Sequence, residues 1–398
     1  MSRQHTFVAT CSRGLEPVLA AELEELGIER HAPLPGAVRF RASLAGALRV
    51  LVWTRVASRV LAVLDRFACP HADALYAGVR DIDWTVHLDP GGTLAVDFVG
   101  GSETIRHSRF GAYRTKDAIV DMVRSATGRR PSVDLDDPDL RVNVHLGGGM
   151  ATVCVDMAGT SLHERGAGRR AGTAPLKETL AAAVLRLAGW PERVAQGGPL
   201  RLYDPLCGSG TLLLEGLGMA LDRAPGLHRD RWGFDGWGVV EDDLFEVVLE
   251  EAVQRRRAAE GRDLRAVGRD RLRAAVRGAR DNAAALQLDR WLELEEGELE
   301  DAAAPEGPTG LVVANPPYGA RLDDEEGARA GMRELGDVLR HGFLGWRAAV
   351  LAGSKDLGKA IGLRPERRIP VWNGPLDCRL LLLEISSAPV QGQGPGWR

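Results

Sequence analysis

The sequence predicts an α/β protein in two parts: a smaller α+β module, then a doubly wound, mostly parallel sheet of seven strands. Three observations carry this. In the second half, strand-sized apolar runs alternate with helical stretches, the pattern of parallel strands joined by crossover helices. In the first half, short strands, amphipathic helices and a glycine-linked hairpin follow one another without that regularity. Between the halves, "TSLHERGAGRRAGTAP" has no apolar periodicity and reads as a connection.

Taken in order, "HTFVATCSRGLEPVLAAELEELGI" opens as a strand and continues as a helix. Leu15, Val18, Leu19, Leu23 and Leu26 recur at helical spacing, and Gly27 is a natural stop. "AVRFRA" alternates as a short strand. "SLAGALRVLVWTRVASRVL" is helical with Ser43 as its cap. "TLAVDFVG" is a strand, and "AYRTKDAIVDMVRSATG" a helix ending at Gly128. "LRVNVHLGGGMATVCVDMAG" is two strands joined by glycines, a hairpin signal. Beyond the connection come "RLYD", a helix, "RAVGRD", a helix, "WLELEE", "GLVVA", a helix, "RAAVLAG", a helix, "RIPVW" and "DCRLLLLEI".

Composition excludes several classes. A chain of 398 residues with 44% hydrophobic content can build two or three cores. No apolar run approaches the ~20 residues of a membrane helix, and the N-terminus lacks the apolar stretch of a signal peptide. A cytoplasmic protein with no membrane partner is expected. The five cysteines form no CxxC pair, against a zinc ribbon or disulfide framework. The nine histidines show no HxH or HExxH spacing, so no metal is expected. Net charge is -4, which gives no sign of nucleic acid. Only four of 51 basic residues are lysines, so the arginine excess reads as compositional bias and single arginines are discounted.

The chemistry-bearing motifs lie at strand ends of the second half. In "RLYDPLCGSGTLLLEGLGMA" a strand runs through a glycine turn into a helix. Gly208 and Gly210 let backbone approach a ligand closely, and the helix N-terminus faces it. No Lys-Ser/Thr follows, so this is not a Walker A loop, and Leu213 breaks GxGxxG. Asp204 ahead of the glycines can accept from an ammonium, which suits the methionine part of S-adenosylmethionine better than a pyrophosphate. An ordinary tight turn fits the same residues. Asp270, ending "LRAVGRD", can hold two ribose hydroxyls or simply cap the next helix. Glu298, after "WLELEE", can accept from an adenine amine, though other acids lie nearby. In "LVVANPPYGARL" the apolar strand runs into two prolines that donate no hydrogen bond. Asn315 and the Pro316 carbonyl then present two acceptors to an NH2 group, and Tyr318 can stack on the ring bearing it. Pro317 fixes the turn. The alternative is a Pro-Pro turn with a surface tyrosine.

At these residues the chain resembles a known family. "NPPYG" and "DPLCGSGT" are similar to class I, Rossmann-like methyltransferases acting on exocyclic amines. "APLKETLAAA", "DRAPGLHRDRWGFDGW" and "NGPLDC" resemble the bacterial 23S rRNA guanine-N2 methyltransferases of the RlmL type. "SRGLEPVLAAELEELG" and "TKDAIVDMVR" are similar to that family's ferredoxin-like region and THUMP RNA-binding domain. The resemblance implies a ferredoxin-like region at 1–43, a THUMP domain at 44–157, a linker at 158–178, a methyltransferase domain at 179–386 and a disordered tail at 387–398. It implies S-adenosylmethionine held by Asp204, Gly208, Gly210, Asp270 and Glu298, with the guanine amine at Asn315, Pro316, Pro317 and Tyr318. The expected partner is 23S rRNA, protein-poor or in a partly assembled large subunit. Two positions depart from the family pattern: Leu272 replaces a second acid, and Glu298 an aspartate. The chain ends shortly after "LLLLEISS", so a fused second methyltransferase of the RlmK type is not expected.

Two further stretches are candidates for RNA contact. "IRHSRFGAYRTK" interleaves Arg106, Arg109, Arg114 and Lys116 with Phe110 and Tyr113, which suits loop RNA or a solvated loop before a helix. "GLHRDRWGFDGW" offers His228, Arg229 and Arg231 in a glycine-rich loop, placed over an active-site mouth or plugging a satellite core with its aromatics. Cys207 has no base nearby in sequence and reads as a small apolar filler. The same motifs leave open a THUMP-type tRNA guanine-N2 methyltransferase, a DNA adenine-N6 methyltransferase and a non-catalytic ribosome-assembly factor.

Overall fold

The computed structural model describes residues 3–165, 176–317 and 325–386. Contacts divide the chain into two compact units, Met1–Gly166 with Ala224–Arg255, and Ala167–Arg223 with Arg256–Arg398. The expected tail at 387–398 and most of the connection (166–175) lie outside the described residues.

The first unit contains β1 (His5–Thr10), α1 (Glu16–Glu25), β2 (His31–Leu34), β3 (Ala37–Ala42), α2 (Leu44–Trp53), β4 (Arg59–Ala68), α3 (Ala72–Arg80), β5 (Thr93–Gly100), α4 (Ser108–Thr127), β6 (Ser132–Val133), β7 (Leu140–Gly147) and β8 (Met150–Asp156). The described strands form one sheet in the order β2-β3-β1-β4-β8-β7-β5-β6. Strand β4 holds it together. Its first residues, Arg59 to Ala62, pair with β1, and Leu61 to Ala68 pair with β8. The register shifts between Val63 and Asp65, a bulge that bends and twists the strand from one partner to the next. The Ser43 side chain accepts from Gly46 N at 3.2 Å, and Gly128 ends α4 in the left-handed region. The β7–β8 hairpin turns through Gly148 and Gly149, both at positive φ, as a two-residue turn matched to strand twist requires.

Helix α4 begins at Ser108, four residues before the start expected from the sequence. Gly111 does not break it. A Cβ there would lie 2.7 Å from the Phe98 ring, so the glycine lets the helix press against β5. The basic and aromatic residues of "SRFGAYRTK" are therefore displayed on a helix rather than in a loop.

The second unit contains α5 (Glu178–Leu187), α6 (Trp190–Gln196), β9 (Leu200–Asp204), α7 (Thr211–Ala220) and, after an excursion, the end of α8 (Asp242–Ala259). Then follow β10 (Leu264–Asp270), α9 (Arg273–Ala285), β11 (Leu292–Glu296), β12 (Leu311–Ala314), α10 (Glu325–Gly342), β13 (Arg347–Ala352), α11 (Lys355–Ala360), β14 (Arg367–Asn373) and β15 (Leu376–Glu384). The strand order is β11-β10-β9-β12-β13-β15-β14. All neighbours are parallel except β15, which runs antiparallel to β13 and β14. This is the doubly wound, mostly parallel sheet expected from the alternation. Its central strands are buried on both faces, as Leu311 to Ala314 and Leu380 to Leu383 show.

The excursion Ala224–Arg255 falls inside the span 179–386, yet it packs with the first unit. Three glycines make this possible. A Cβ on Gly226 would lie 2.9 Å from the Val52 backbone, one on Gly233 2.1 Å from the Asp156 carbonyl, and one on Gly236 2.3 Å from the Asp139 carbonyl. Trp232, Phe234 and Trp237 are buried, and Trp237 Nε1 donates to His87 Nδ1 at 2.9 Å. The aromatics of this stretch thus fill a core of the first unit.

Candidate active site

The site forms in the second unit at the C-terminal ends of β9, β10, β11 and β12. From β9 the chain winds outward to β10 and β11, then returns to place β12 on the other side of β9. The crevice at this reversal is where open α/β sheets bind ligands.

Asp204 ends β9 and is 2% exposed. Its Oδ1 accepts from Leu206 N at 3.0 Å. Burial pushes its carboxyl up to about 8; the Leu206 N–H offsets part of that rise, and the neighbouring Asp270 carboxylate adds to it. Near pH 7 such a group is mostly protonated, and a cation beside it would favour the ionised form. The turn that follows is pinned at several points. Cys207 N donates to the Arg269 carbonyl at 2.9 Å, Gly208 N to Asp270 Oδ2 at 2.9 Å, and Gly210 N to the Cys207 carbonyl at 2.8 Å. Asp270 also accepts from Leu272 N through Oδ1 at 2.9 Å. It therefore braces the glycine turn with both oxygens, and a carboxylate keeps lone pairs for further donors.

The two glycines differ in role. Gly208 has φ +53° and nothing within 4 Å of where its Cβ would stand, so its backbone faces open space. Gly210 has φ +82°, and its Cβ would meet the Ala279 Cβ at 3.2 Å. It shapes the turn against α9 rather than clearing room for a ligand. Gly268 has a third role: a Cβ there would meet Leu213, Leu294 and Cys207 at 2.7, 2.9 and 3.1 Å. The Cys207 thiol is buried, with its pKa raised by that burial and by Asp204 and Asp270, consistent with a filler.

Asn282 is a residue the sequence reading passes over. It is 2% exposed on α9, and its Nδ2 donates to the Ser209 carbonyl at 3.0 Å. An asparagine inside "ARDNAAA" is the signal that could have found it, because a buried amide on a helix needs a partner. Glu298 is exposed, at the start of a short 3-10 turn, with no side-chain capping bond.

Asn315 follows β12 directly. Its Oδ1 is buried and has no hydrogen-bond partner among the described residues. A buried acceptor left unpaired costs roughly 1–3 kcal/mol, so the position is suited to a donor that comes from outside. Pro316 is buried and Pro317 exposed; Tyr318 lies outside the described residues. Among the described residues no group of three or more His, Cys, Asp or Glu could hold a metal ion, and no described helix is long and apolar enough to cross a membrane.

The RNA candidates of the first unit fare unevenly. The Arg229 guanidinium donates to the carbonyls of Glu164 at 2.7 Å, Ala158 at 2.9 Å and Ser161 at 3.2 Å, and it stacks over Trp232. It is committed to holding the excursion in place. Arg231 pairs with Asp137 at 2.6 Å and His228 is half-buried. Arg114 pairs with Asp73 at 2.7 Å and lies over Tyr76, and Lys116 pairs with Asp117. Arg106 and Arg109 are exposed, Arg109 beside Tyr113, and Phe110 and Tyr113 are about half exposed.

Sheet order, the glycine turn behind a buried acid, and Asn-Pro-Pro at the end of the returning strand together define a class I, Rossmann-like methyltransferase domain. The family model of RMKL-like methyltransferase domains matches residues 165–381, that of THUMP domains residues 70–156, and that of the RlmL ferredoxin-like domain residues 6–61. The chain belongs to the RMKL-like methyltransferase family. It is 44% identical, over 97% of its length, to the ribosomal RNA large subunit methyltransferase K/L of Ectopseudomonas mendocina, and 45% identical, over 96%, to that of Syntrophotalea carbinolica. It covers 54% and 53% of those proteins, so it spans about half the length of the curated relatives it matches. The solved structure of SMU.472 complexed with SAH is 27% identical with a TM-score of 0.83, covering 98% of this chain and 100% of that one.

Proposed function

We propose that this chain transfers a methyl group from S-adenosylmethionine to the exocyclic N2 amine of a guanine in 23S rRNA, in the cytoplasm, on protein-poor or partly assembled large-subunit RNA. The observation that carries the reading is the buried Oδ1 of Asn315 at the end of β12, which has no partner among the described residues and lies next to the strand that ends in Asp204. The curated relatives act, by name, on ribosomal RNA of the large subunit, and the THUMP match supports an RNA substrate.

Bound S-adenosylmethionine would supply an electrophilic methyl sulfonium. Two features fit it: the Gly208 backbone faces open space, and Asp204 is a buried acid whose ionised form a neighbouring cation would favour. Asp204 would take the ammonium, Asp270 the ribose hydroxyls through its remaining lone pairs, and Glu298 the adenine amine. Asn315 Oδ1 and the Pro316 carbonyl would hold the two hydrogens of the guanine amine. That amine is a poor nucleophile because its lone pair is delocalised into the ring. Holding both hydrogens turns the lone pair toward the methyl group, so catalysis rests on orientation and preorganised dipoles. Pro317 fixes the turn and Tyr318 would stack on the base.

The test is purified protein with labelled S-adenosylmethionine and deproteinised 23S rRNA or tRNA, read by nucleoside mass spectrometry. N2-methylguanosine in 23S rRNA is expected. Label confined to tRNA, or found as N6-methyladenosine, rejects the substrate.

A further inference from the structure

The outer face of α9 carries Arg273, Arg277 and Arg280, spaced i, i+4, i+7. With Val276 of the same helix and Leu294 and Glu296 of β11, they line a cavity of about 370 Å³, within the range of sites that take a nucleotide-sized ligand. We propose that this cavity is an RNA-docking site on the catalytic unit, holding the phosphodiester backbone of a nucleotide that flanks the target base. The inference rests on the RNA substrate of the proposed function and adds a place where that RNA is held.

The charge pattern supports it. Most described arginines of this unit are committed: Arg201 to Asp263, Arg265 to Glu293, Arg269 to Glu295, Arg347 to Glu366. Arg273 reaches Glu296 only at 4.0 Å. Arg277 and Arg280 are exposed and have no hydrogen bond or ion pair among the described residues. Like charges at i+3 and i+4 repel one another. The row spans about 10 Å along the helix at ~1.5 Å per residue, long enough for more than one phosphate. Guanidinium forks suit phosphate oxygens, while Val276 and Leu294 give the cavity an apolar floor for a base or ribose. Glu296, the one carboxylate in the lining, faces Arg273 and leaves Arg277 and Arg280 as the anion contacts.

Position fits a flanking contact rather than the target base. Glu296 lies opposite Asp270 in the β10–β11 register, so the cavity borders the β11 side of the crevice. Asn315 lies on the β12 side, three strand spacings or about 14 Å away at ~4.8 Å each. RNA reaching from one to the other passes beside the cofactor-binding edge.

The experiment uses the full chain with deproteinised 23S rRNA transcript, comparing wild type, the double variant R277Q/R280Q and the equal-charge control R367Q/R368Q, whose arginines lie on the edge strand β14. Glutamine is a good helix former and keeps α9 intact. The double variant is expected to raise KM for RNA about tenfold and to flatten the salt dependence of binding by roughly one unit of slope per arginine. Its SAH affinity and its single-turnover rate at saturating RNA should equal wild type, and the control should leave every quantity unchanged. An unchanged KM and salt slope in R277Q/R280Q overturns the proposal, as does an equal loss in the control, which would mean diffuse attraction. Reduced SAH affinity also overturns it by assigning the cavity to the cofactor. If wild type itself neither binds nor methylates the transcript, the substrate assignment fails, a result distinct from all of these.

Discussion

The ionisation of Asp204 gives the sharpest quantitative prediction. In the free protein burial holds its carboxyl at about 8, so near pH 7 it is about nine-tenths protonated. An ammonium beside it lowers a carboxyl by about 1–3 units. Binding near pH 7 should then release roughly 0.4 to 0.9 proton per ligand. Near pH 9 the carboxyl is already ionised, and release should fall below about 0.1. The ligand of choice is S-adenosylhomocysteine, which carries the same ammonium and cannot react. Calorimetry in buffers of different ionisation enthalpy gives the proton count directly. Affinity should rise with pH up to about 8 and fall again as the ligand's own ammonium deprotonates. D204N should bind weakly, with no proton release at either pH. Zero release near pH 7 in wild type, or an equal count from D204N, would refute the placement of the ammonium at Asp204.

Other outcomes follow from the same contacts. Because the Asp204 pKa is raised above its unfolded value, its stabilising contribution is fully present below about pH 4 and is lost as pH rises through about 8. Urea unfolding of the unliganded protein should show D204N closing that gap. G268V should destabilise the second unit by about 1–3 kcal/mol through overpacking against Leu213, Leu294 and Cys207, seen as a lower urea midpoint at unchanged slope. N282L removes the donor to the Ser209 carbonyl and should weaken SAH binding about tenfold or more, with the rate at saturating cofactor close to wild type; a normal affinity removes Asn282 from the turn's support. G233V cannot keep its approach to the Asp156 carbonyl, and limited proteolysis should cut within 224–255 far faster than in wild type.

Much of the site was legible in sequence because it depends on backbone events that few residues perform. Two prolines after Leu311 to Ala314 can only end a strand, and the structure places Asn315 at that end. Asp204 before two glycines marks a strand turning into a helix, and β9 and α7 meet there. The seven strands were legible from alternation alone. What was not legible depends on distant partners. Gly210 reads as room for a ligand, whereas Ala279 occupies the space beside it and Gly208 faces the opening. Gly226, Gly233 and Gly236 read only as part of a glycine-rich loop, yet each lies against backbone 70 or more positions away in the chain. Arg229 reads as a free cation until the carbonyls of 158–164 surround it. Asp270 reads as a ribose ligand or a cap; its bond to Gly208 N joins segments 62 positions apart, which no local pattern records.

The central claim is that Asn315 clamps the amine that receives the methyl group. The measurement is single-turnover methyl transfer to 23S rRNA by N315A at saturating RNA and cofactor. Removing one oriented acceptor at a reacting centre should slow transfer by about 10²–10³, with SAH affinity unchanged because the substituted side chain lies at the target base. Transfer by N315A at the wild-type rate would contradict the account and leave Asn-Pro-Pro as no more than the end of a strand.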